Sequence, residues 1–151
     1  MRGKLAVRRA SLADAPALAA LHKTSFAKPW DEATMAVFLA APETLCLIGS
    51  VAESEGVAAA GLLIARKAAD EAETLTFCVA PSYRRLGLGR ALLAAAISEL
   101  RRAGAKTLFL EVEEGNEEAL LLYRSFGAAS AGKRARYYES GKDAAILSLA
   151  L

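Results

Sequence analysis

The stretch that decides the fold lies in the middle of the chain and reads Arg84-Arg85-Leu86-Gly87-Leu88-Gly89-Arg90. It follows an apolar, strand-like run at residues 75–79 and precedes a strongly periodic helical pattern. Glycine lets the backbone pass close to a bulky ligand, and the first turn of a helix presents free N–H groups. Three arginines add positive charge. The stretch therefore predicts a cradle for a phosphate or pyrophosphate.

The segment after this cradle is predicted to be the longest helix, over residues 88–103. Its apolar positions recur at helical spacing and form one stripe, made of Leu88, Leu92, Leu93, Ala96, Ile97 and Leu100. Gly104 is a natural residue to end it. Further helices are predicted from a capping box at Ser11 to about Phe26, from Asp31, and from a cap at Asn116 to Phe126.

The strands are predicted at residues 5–8, 45–52, 57–66, 73–79, 107–112 and 144–149, with another around Tyr137 and Tyr138. The links between the second, third and fourth of them are short, which favours an antiparallel meander. The order of elements predicts an α+β fold: a mixed, mostly antiparallel sheet of about seven strands, flanked by about four helices.

Composition bounds the class of protein. The chain of 151 residues, 54% hydrophobic and 24% charged, predicts one soluble domain over residues 1–151. The net charge of +2 gives no electrostatic reason to expect a nucleic-acid or membrane partner. Cys46 and Cys78 lie in apolar runs without paired spacing, so we interpret them as reduced core residues of a cytoplasmic protein. No metal site is expected.

Three classes of site compete for the cradle. Gly87-x-Gly89 before a helix is typical of a dinucleotide-binding turn, and Glu111 stands near the position of the ribose-binding acid. Against this, Leu92 occupies the third glycine position and the cradle follows a meander instead of opening a βαβ unit. A Walker loop would need Gly-Lys-Ser/Thr, which is absent. The remaining alternative is a solvated basic turn.

The arrangement Arg84-x-x-Gly87-x-Gly89 resembles the Arg/Gln-x-x-Gly-x-Gly/Ala signature of the GNAT acetyltransferases, and the succession of elements resembles that family over nearly the whole chain. The resemblance implies coenzyme A, with its pyrophosphate on the amides of residues 85–90. It also implies that the strands ending near Val79 and Glu111 splay apart, and that pantetheine lies between them. The cofactor-binding residues it implies are Phe77, Cys78, Val79, Arg84, Arg85, Leu86, Gly87, Leu88, Gly89, Arg90 and Asn116.

Two residues are candidates for the chemistry. Leu110-Glu111-Val112 is followed by Asn116, Tyr123 and Phe126-Gly127, and this spacing resembles the bacterial ribosomal-protein-alanine N-acetyltransferases. By that resemblance Glu111 is the general base, acting through water, and Tyr123 is the general acid for the leaving thiolate. By pattern alone, Glu111 is also explained as a polar strand end and Tyr123 as a core residue. Cys78 has no activating histidine, so a buried core thiol is the favoured interpretation.

Other positions are candidates for contacts with the acceptor. Glu113 and Glu114, with Glu117 and Glu118, form either an acidic lip for a basic peptide or ordinary charge at a helix N-terminus. Trp30 either packs between the first two helices or lines a peptide groove. Tyr137 and Tyr138 alternate along a strand, so one is expected to face the acceptor and the other the core.

The resemblance implies an enzyme, an acetyl-CoA-dependent N-acetyltransferase. By the resemblance, the acceptor is a protein N-terminal α-amine, the alanine of a ribosomal protein. An α-amine has a pKa of about 7.8 and lysine about 10.4, so the α-amine costs about 3.5 kcal/mol less to neutralise at pH 7. The alternatives are a GNAT enzyme for another amine (a lysine side chain, a polyamine or a small molecule) and a non-enzymatic acetyl-CoA-binding module.

Overall fold

A computed structural model describes residues 3–113, 115–134 and 144–151. In these residues seven strands form one sheet: β1 Leu5–Arg9, β2 Thr44–Glu53, β3 Gly56–Ala68, β4 Glu71–Val79, β5 Thr107–Glu113, β6 Ala129–Arg134 and β7 Ala144–Ala150. Their order across the sheet is β1-β2-β3-β4-β5-β7-β6. The neighbouring strands are antiparallel except β4 and β5, which are parallel. The predicted meander and the mostly antiparallel sheet are confirmed.

Helices cover both faces of the sheet. They are α1 Ala15–Lys23, α2 Glu32–Ala40, α3 Leu88–Arg102 and α4 Glu117–Ser125, with short 3-10 turns at Leu12–Asp14 and Pro81–Tyr83. One core cluster joins α3 and α4 to the sheet, and a second joins α1 and α2 to the opposite face. Within residues 3–113, 115–134 and 144–151, none of the helices has the length and apolarity that crossing a bilayer requires.

Helix α3 matches its prediction closely. Its buried side chains are the predicted stripe of Leu88, Leu92, Leu93, Ala96, Ile97 and Leu100. Glycines in the strands below let the helix approach. A Cβ added at Gly49 would lie 2.8 Å from Leu88 Cδ1, and one at Gly61 would lie 3.0 Å from Leu92 Cδ1. Close packing of α3 on β2 and β3 therefore fixes where the cradle at its N-terminus lies.

One predicted boundary is wrong, and one strand was not predicted. Helix α1 ends at Lys23 and does not reach Phe26, whose side chain is 37% exposed. The hydroxyl of Thr24 donates to the Leu21 carbonyl at 2.6 Å, and such side-chain bonds compete with the helical pattern. Strand β6 was not predicted, because its residues lack the β-branched and aromatic side chains typical of strands. The strand predicted around Tyr137 and Tyr138 lies outside the described residues.

The close approach of α3 gives a test by substitution. Gly61→Ala would place a methyl group 3.0 Å from both the Cys78 carbonyl oxygen and Leu92 Cδ1, so we expect the free energy of unfolding to fall by about 1–3 kcal/mol. Gly89→Ala is the matched control, because the nearest atom to its Cβ is 3.7 Å away and the family signature admits alanine there. Urea unfolding of both variants measures the difference. Equal midpoints for Gly61→Ala and the unmodified protein would contradict the packing argument.

Candidate active site

The cradle is built by two residues in the left-handed backbone region. Gly87 has φ +89° and caps α3, and Arg85 has φ +64° two residues before it. This turn brings the chain from β4 to the first amides of α3, which are free to bind an anion. At Gly89 an added Cβ would meet only ordinary contacts, at 3.7–3.8 Å from Leu122, Phe77 and Val79. Packing within the protein therefore does not require a glycine at Gly89, and its missing side chain leaves room beside the amides.

The three arginines of the cradle are exposed, and two of them already have protein contacts. Arg84 donates from Nε to the carbonyl oxygen of Val79 at 3.0 Å. Arg90 donates to Ser125 Oγ at 2.9 Å, and its guanidinium lies 5.2 Å from the ring centroid of Phe126. The Arg90 side chain thus ties α3 to α4, while its backbone N–H remains part of the predicted cradle. Arg84 instead links the cradle to the end of β4.

The predicted gap between β4 and β5 is present in the described residues. Parallel pairing covers only Glu71, Ala72 and Glu73 on β4, opposite Thr107, Leu108 and Phe109 on β5. Beyond Glu73 the register of β4 against β3 shifts by one residue, because Leu75 has no partner between Ile64 and Ala65. An extra residue of this kind bends a strand and increases its twist. The bulge therefore coincides with the point at which β4 leaves β5.

The edge of β4 that faces this gap carries backbone groups of Phe77 and Val79. Val79 lies opposite Gly61 in the register with β3, and the next residue, Ala80, donates its N–H to the Ala60 carbonyl at 2.8 Å. In an antiparallel pair successive residues direct their N–H and C=O groups to opposite edges. The N–H groups of Phe77 and Val79 therefore point away from β3, toward the gap.

Side chains of the predicted site divide between the two faces of the sheet. Phe77, Val79 and Leu86 pack with the α3–α4 cluster, and the ring of Tyr123, 6% exposed, lies 6.3 Å from that of Phe77 between centroids. Cys78 is buried on the α1–α2 face. Burial raises the pKa of its thiol to about 11. This agrees with the interpretation of Cys78 as an inert core thiol. Leu88 is buried in the core, so only its backbone is available to a ligand.

Glu111 and Tyr123 lie on opposite sides of β5. Leu110 and Val112 pack in the α3–α4 cluster with Tyr123, so the half-buried Glu111 between them projects from the other face, and Glu113 does the same. Glu111 lies two residues past Phe109, the last residue of β5 that pairs with β4, and the Tyr123 ring lies beside Phe77 of β4. The two side chains are therefore next to the gap, on opposite faces of the sheet.

The remaining predicted residues have the following positions. Asn116 caps α4, accepting the Ala119 N–H at Oδ1 over 3.2 Å, and it is exposed. Glu117 and Glu118 are exposed in the first turn of the same helix. Trp30 stacks with His22 of α1 and with Phe38 of α2. Glu114, Tyr137 and Tyr138 lie outside the described residues.

Sequence reasoning gave no role to one residue near the site. His22, only 2% exposed, stacks between Phe26 and Trp30, with ring centroids 4.1 and 5.0 Å away, and Trp30 stacks on Phe38 at 4.7 Å. The spacing of His22 and Phe26, one helical turn apart, is the sequence feature that would have indicated the contact. Burial lowers the pKa of His22 to about 4.

A model of the acetyltransferase (GNAT) family matches residues 15–128. The chain belongs to this family. The [ribosomal protein bS18]-alanine N-acetyltransferase of Escherichia coli K12 is 36% identical over 139 residues, which are 90% of each chain. The Salmonella typhimurium protein of the same name is 35% identical over 142 residues, covering 92% of this chain and 93% of its own.

The fold comparison agrees. The crystal structure of the Escherichia coli ribosomal-protein-S18-alanine N-acetyltransferase superposes with a TM-score of 0.84 at 33% identity, covering 97% of this chain and 94% of that one. The predictions of a GNAT fold and of an N-acetyltransferase with acetyl-CoA as the acetyl donor are confirmed. The roles predicted for individual residues stay predictions.

The contact between Arg84 and β4 gives a test of the cradle. Arg84→Ala removes a charge and the donor to the Val79 carbonyl, so we expect acetyl-CoA affinity to fall about tenfold. Arg84→Gln keeps a donor of suitable reach, and the signature admits it, so its affinity should stay within about twofold. Titration calorimetry with acetyl-CoA measures both. Equal losses in the two variants would mean that the charge alone matters.

The buried histidine gives a test by pH. Unfolded His22 binds a proton as the pH falls below 6.5, whereas the folded protein resists this until about pH 4. The free energy of unfolding should therefore fall across this window, by up to about 3 kcal/mol. His22→Asn does not titrate, so its urea-unfolding free energy should decline less between pH 7 and 4.5. Hydrogen bonds from the Thr34 backbone and from Arg9 lower the pKa values of Asp31 and Glu99, respectively, so these two carboxylates lose their stabilising contacts only at lower pH. Identical slopes for variant and unmodified protein would contradict the assignment.

Proposed function

We propose that this GNAT enzyme acetylates a protein N-terminal α-amine, and that the acceptor is the N-terminal alanine of a ribosomal protein. The observation that carries the reaction is the open edge of β4, where the N–H groups of Phe77 and Val79 face a gap between the cradle and Glu111. The acceptor is supported by relatives that carry this activity in their names and match nine-tenths of the chain.

The residues around the gap fit acetyl-CoA. Exposed Arg84 and Arg85 supply positive charge beside the α3 N-terminus, and Gly89 leaves space there. The Val79 N–H is available to the acetyl carbonyl oxygen, where a positioned donor stabilises developing negative charge. Acetyl-CoA supplies the acetyl group as a thioester, the bond to sulfur being the one that breaks.

Glu111 is proposed as the general base and Tyr123 as the general acid. Glu111 accepts, through a water molecule, the proton that the attacking amine loses as its N–C bond forms. Tyr123 donates its phenolic proton to the sulfur as the C–S bond breaks. Their positions on opposite faces of β5 support this division. A half-buried glutamate is a modest base, which suits an α-amine better than lysine.

Isosteric substitutions test these two roles. Glu111→Gln and Tyr123→Phe each remove one proton-transfer group, so we expect kcat to fall by about 10²- to 10³-fold. Acetyl-CoA affinity should change less than about twofold, because neither change alters the cradle. Glu113→Gln, on the same face of β5, and Tyr83→Phe, beside the cradle, are matched controls that should keep kcat. A Tyr123→Phe enzyme with unchanged kcat would exclude Tyr123 as the acid.

A peptide panel tests the acceptor. We expect CoA release to be fastest with a peptide that begins with alanine, slower with serine or methionine, and at background with an Nα-blocked peptide that contains lysine. Mass spectrometry of the products locates the acetyl group. Faster turnover of the lysine peptide, or of free polyamines, would contradict an α-amine acceptor while leaving the acetyltransferase assignment intact.

A further inference from the structure

His22 is the one histidine of the sequence, and it lies in the last turn of α1 with 2% of its surface exposed. Buried polar groups are nearly always hydrogen-bonded, and both ring nitrogens have a partner here. Nε2 lies 2.9 Å from Thr76 Oγ1 on β4, and Nδ1 lies 2.9 Å from the backbone nitrogen of Trp30. Because a backbone N–H only donates, Nδ1 is the acceptor and the proton is on Nε2, which donates to Thr76.

The loop between α1 and α2, residues 24–31, is folded around this ring. The Phe26 N–H donates to the His22 carbonyl at 3.1 Å, and the Trp30 N–H donates to Nδ1. The Phe26 and Trp30 rings also stack on the imidazole. Both ends of the loop are therefore attached to one residue, through its backbone at one end and its side chain at the other.

Strand β4, on the other side of the His22 ring, borders the proposed acetyl site. Thr76 directly precedes Phe77, whose N–H faces the gap, and it follows the bulge at Leu75. The loop also lies on the α1–α2 face of the sheet, the face from which Glu111 projects. The neutral imidazole of His22 thus connects β4, which borders the gap, to the α1–α2 loop, which lies on the same face of the sheet as Glu111.

We propose that His22 is a positioning residue that holds the α1–α2 loop in register with β4, so that Phe26 and Trp30 form a fixed wall for the acceptor. This inference rests on the proposed function, because it assigns the wall to the acceptor side. His22 takes no part in proton transfer. Since burial keeps the pKa of the ring near 4, the Nδ1 acceptor is maintained at neutral pH.

The first arm of the test changes the ring. His22→Phe keeps a ring in the stack and removes both hydrogen bonds, whereas His22→Asn keeps an acceptor near the Nδ1 position. With an alanine peptide, His22→Phe should raise the acceptor KM about tenfold, because the Trp30 N–H loses its partner. The kcat and the acetyl-CoA Kd should stay within about twofold. His22→Asn should recover most of the acceptor KM.

The second arm needs no acceptor. Trp30 is the only tryptophan of the chain, so its fluorescence and the hydrogen exchange of its amide report the loop directly. Exchange at the Trp30 amide should speed up about tenfold in His22→Phe and recover in His22→Asn. If His22→Phe does not fold, Thr76→Val removes the bond to β4 alone and should likewise raise the acceptor KM, with Thr76→Ser as its control.

The outcomes are separable. The proposal would be overturned if a folded His22→Phe enzyme kept the Trp30 amide exchange rate and the acceptor KM of the unmodified protein. Equal rises in the KM values for the acceptor and for acetyl-CoA would also overturn it. If the unmodified protein acetylates no alanine peptide, the proposed acceptor is wrong. The role of His22 is then decided by Trp30 exchange and by the KM for the amine that is acetylated.

Discussion

The site depends on one interruption in the sheet. When two parallel strands stay paired, the backbone N–H groups along their shared edge are used in hydrogen bonds between the strands. Such an edge has no free N–H group for a ligand. Here the pairing of β4 with β5 ends at Glu73, and the extra residue Leu75 turns β4 away from β5. The unpaired edge is the feature that the cradle, the proposed base Glu111 and the proposed acid Tyr123 all adjoin. The fold therefore provides the proposed acetyl site by leaving the hydrogen bonds between β4 and β5 unmade beyond Glu73.

The other elements bring groups to that edge from defined directions. Close packing at Gly49 and Gly61 fixes α3, so the cradle lies at the end of β4. Arg90 bonds to Ser125 and lies over Phe126, which fixes α4 and with it Tyr123. On the opposite face, His22 holds the α1–α2 loop. Each face of the sheet thus contributes one of the two proposed proton-transfer groups.

Local patterns predicted the parts of the molecule that local physics determines. The stripe of α3, the cap at Asn116, the meander and the spacing of the cradle glycines are readable because they depend on neighbours in sequence. The end of α1 was misplaced, because Thr24 and the contact of Trp30 with His22 redirect the chain after Lys23. The resemblance to the GNAT family predicted that β4 and β5 separate. The bulge at Leu75, where the separation begins, was not predicted, because Leu75 reads as an ordinary strand residue in the sequence.

The candidate site shows the same division. Glu111, Tyr123 and the cradle were predicted from spacing and resemblance, and the structure adds that the first two face opposite sides of β5. The contacts of Arg84 with Val79, of Arg90 with α4 and of His22 with Thr76 join residues that are distant along the chain or bridge different elements. No periodicity encodes them, which is why sequence reasoning gave His22 no role.

Amide hydrogen exchange, measured by NMR with and without acetyl-CoA, tests the open edge of β4 most directly. We expect acetyl-CoA to slow exchange at Val79 and at the amides of residues 85–90. Cys78, whose N–H points to β3, should be unchanged and provides the internal control. Protection of the cradle without protection of Val79, or equal protection of Val79 and Cys78, would contradict a thioester site on the open edge of β4.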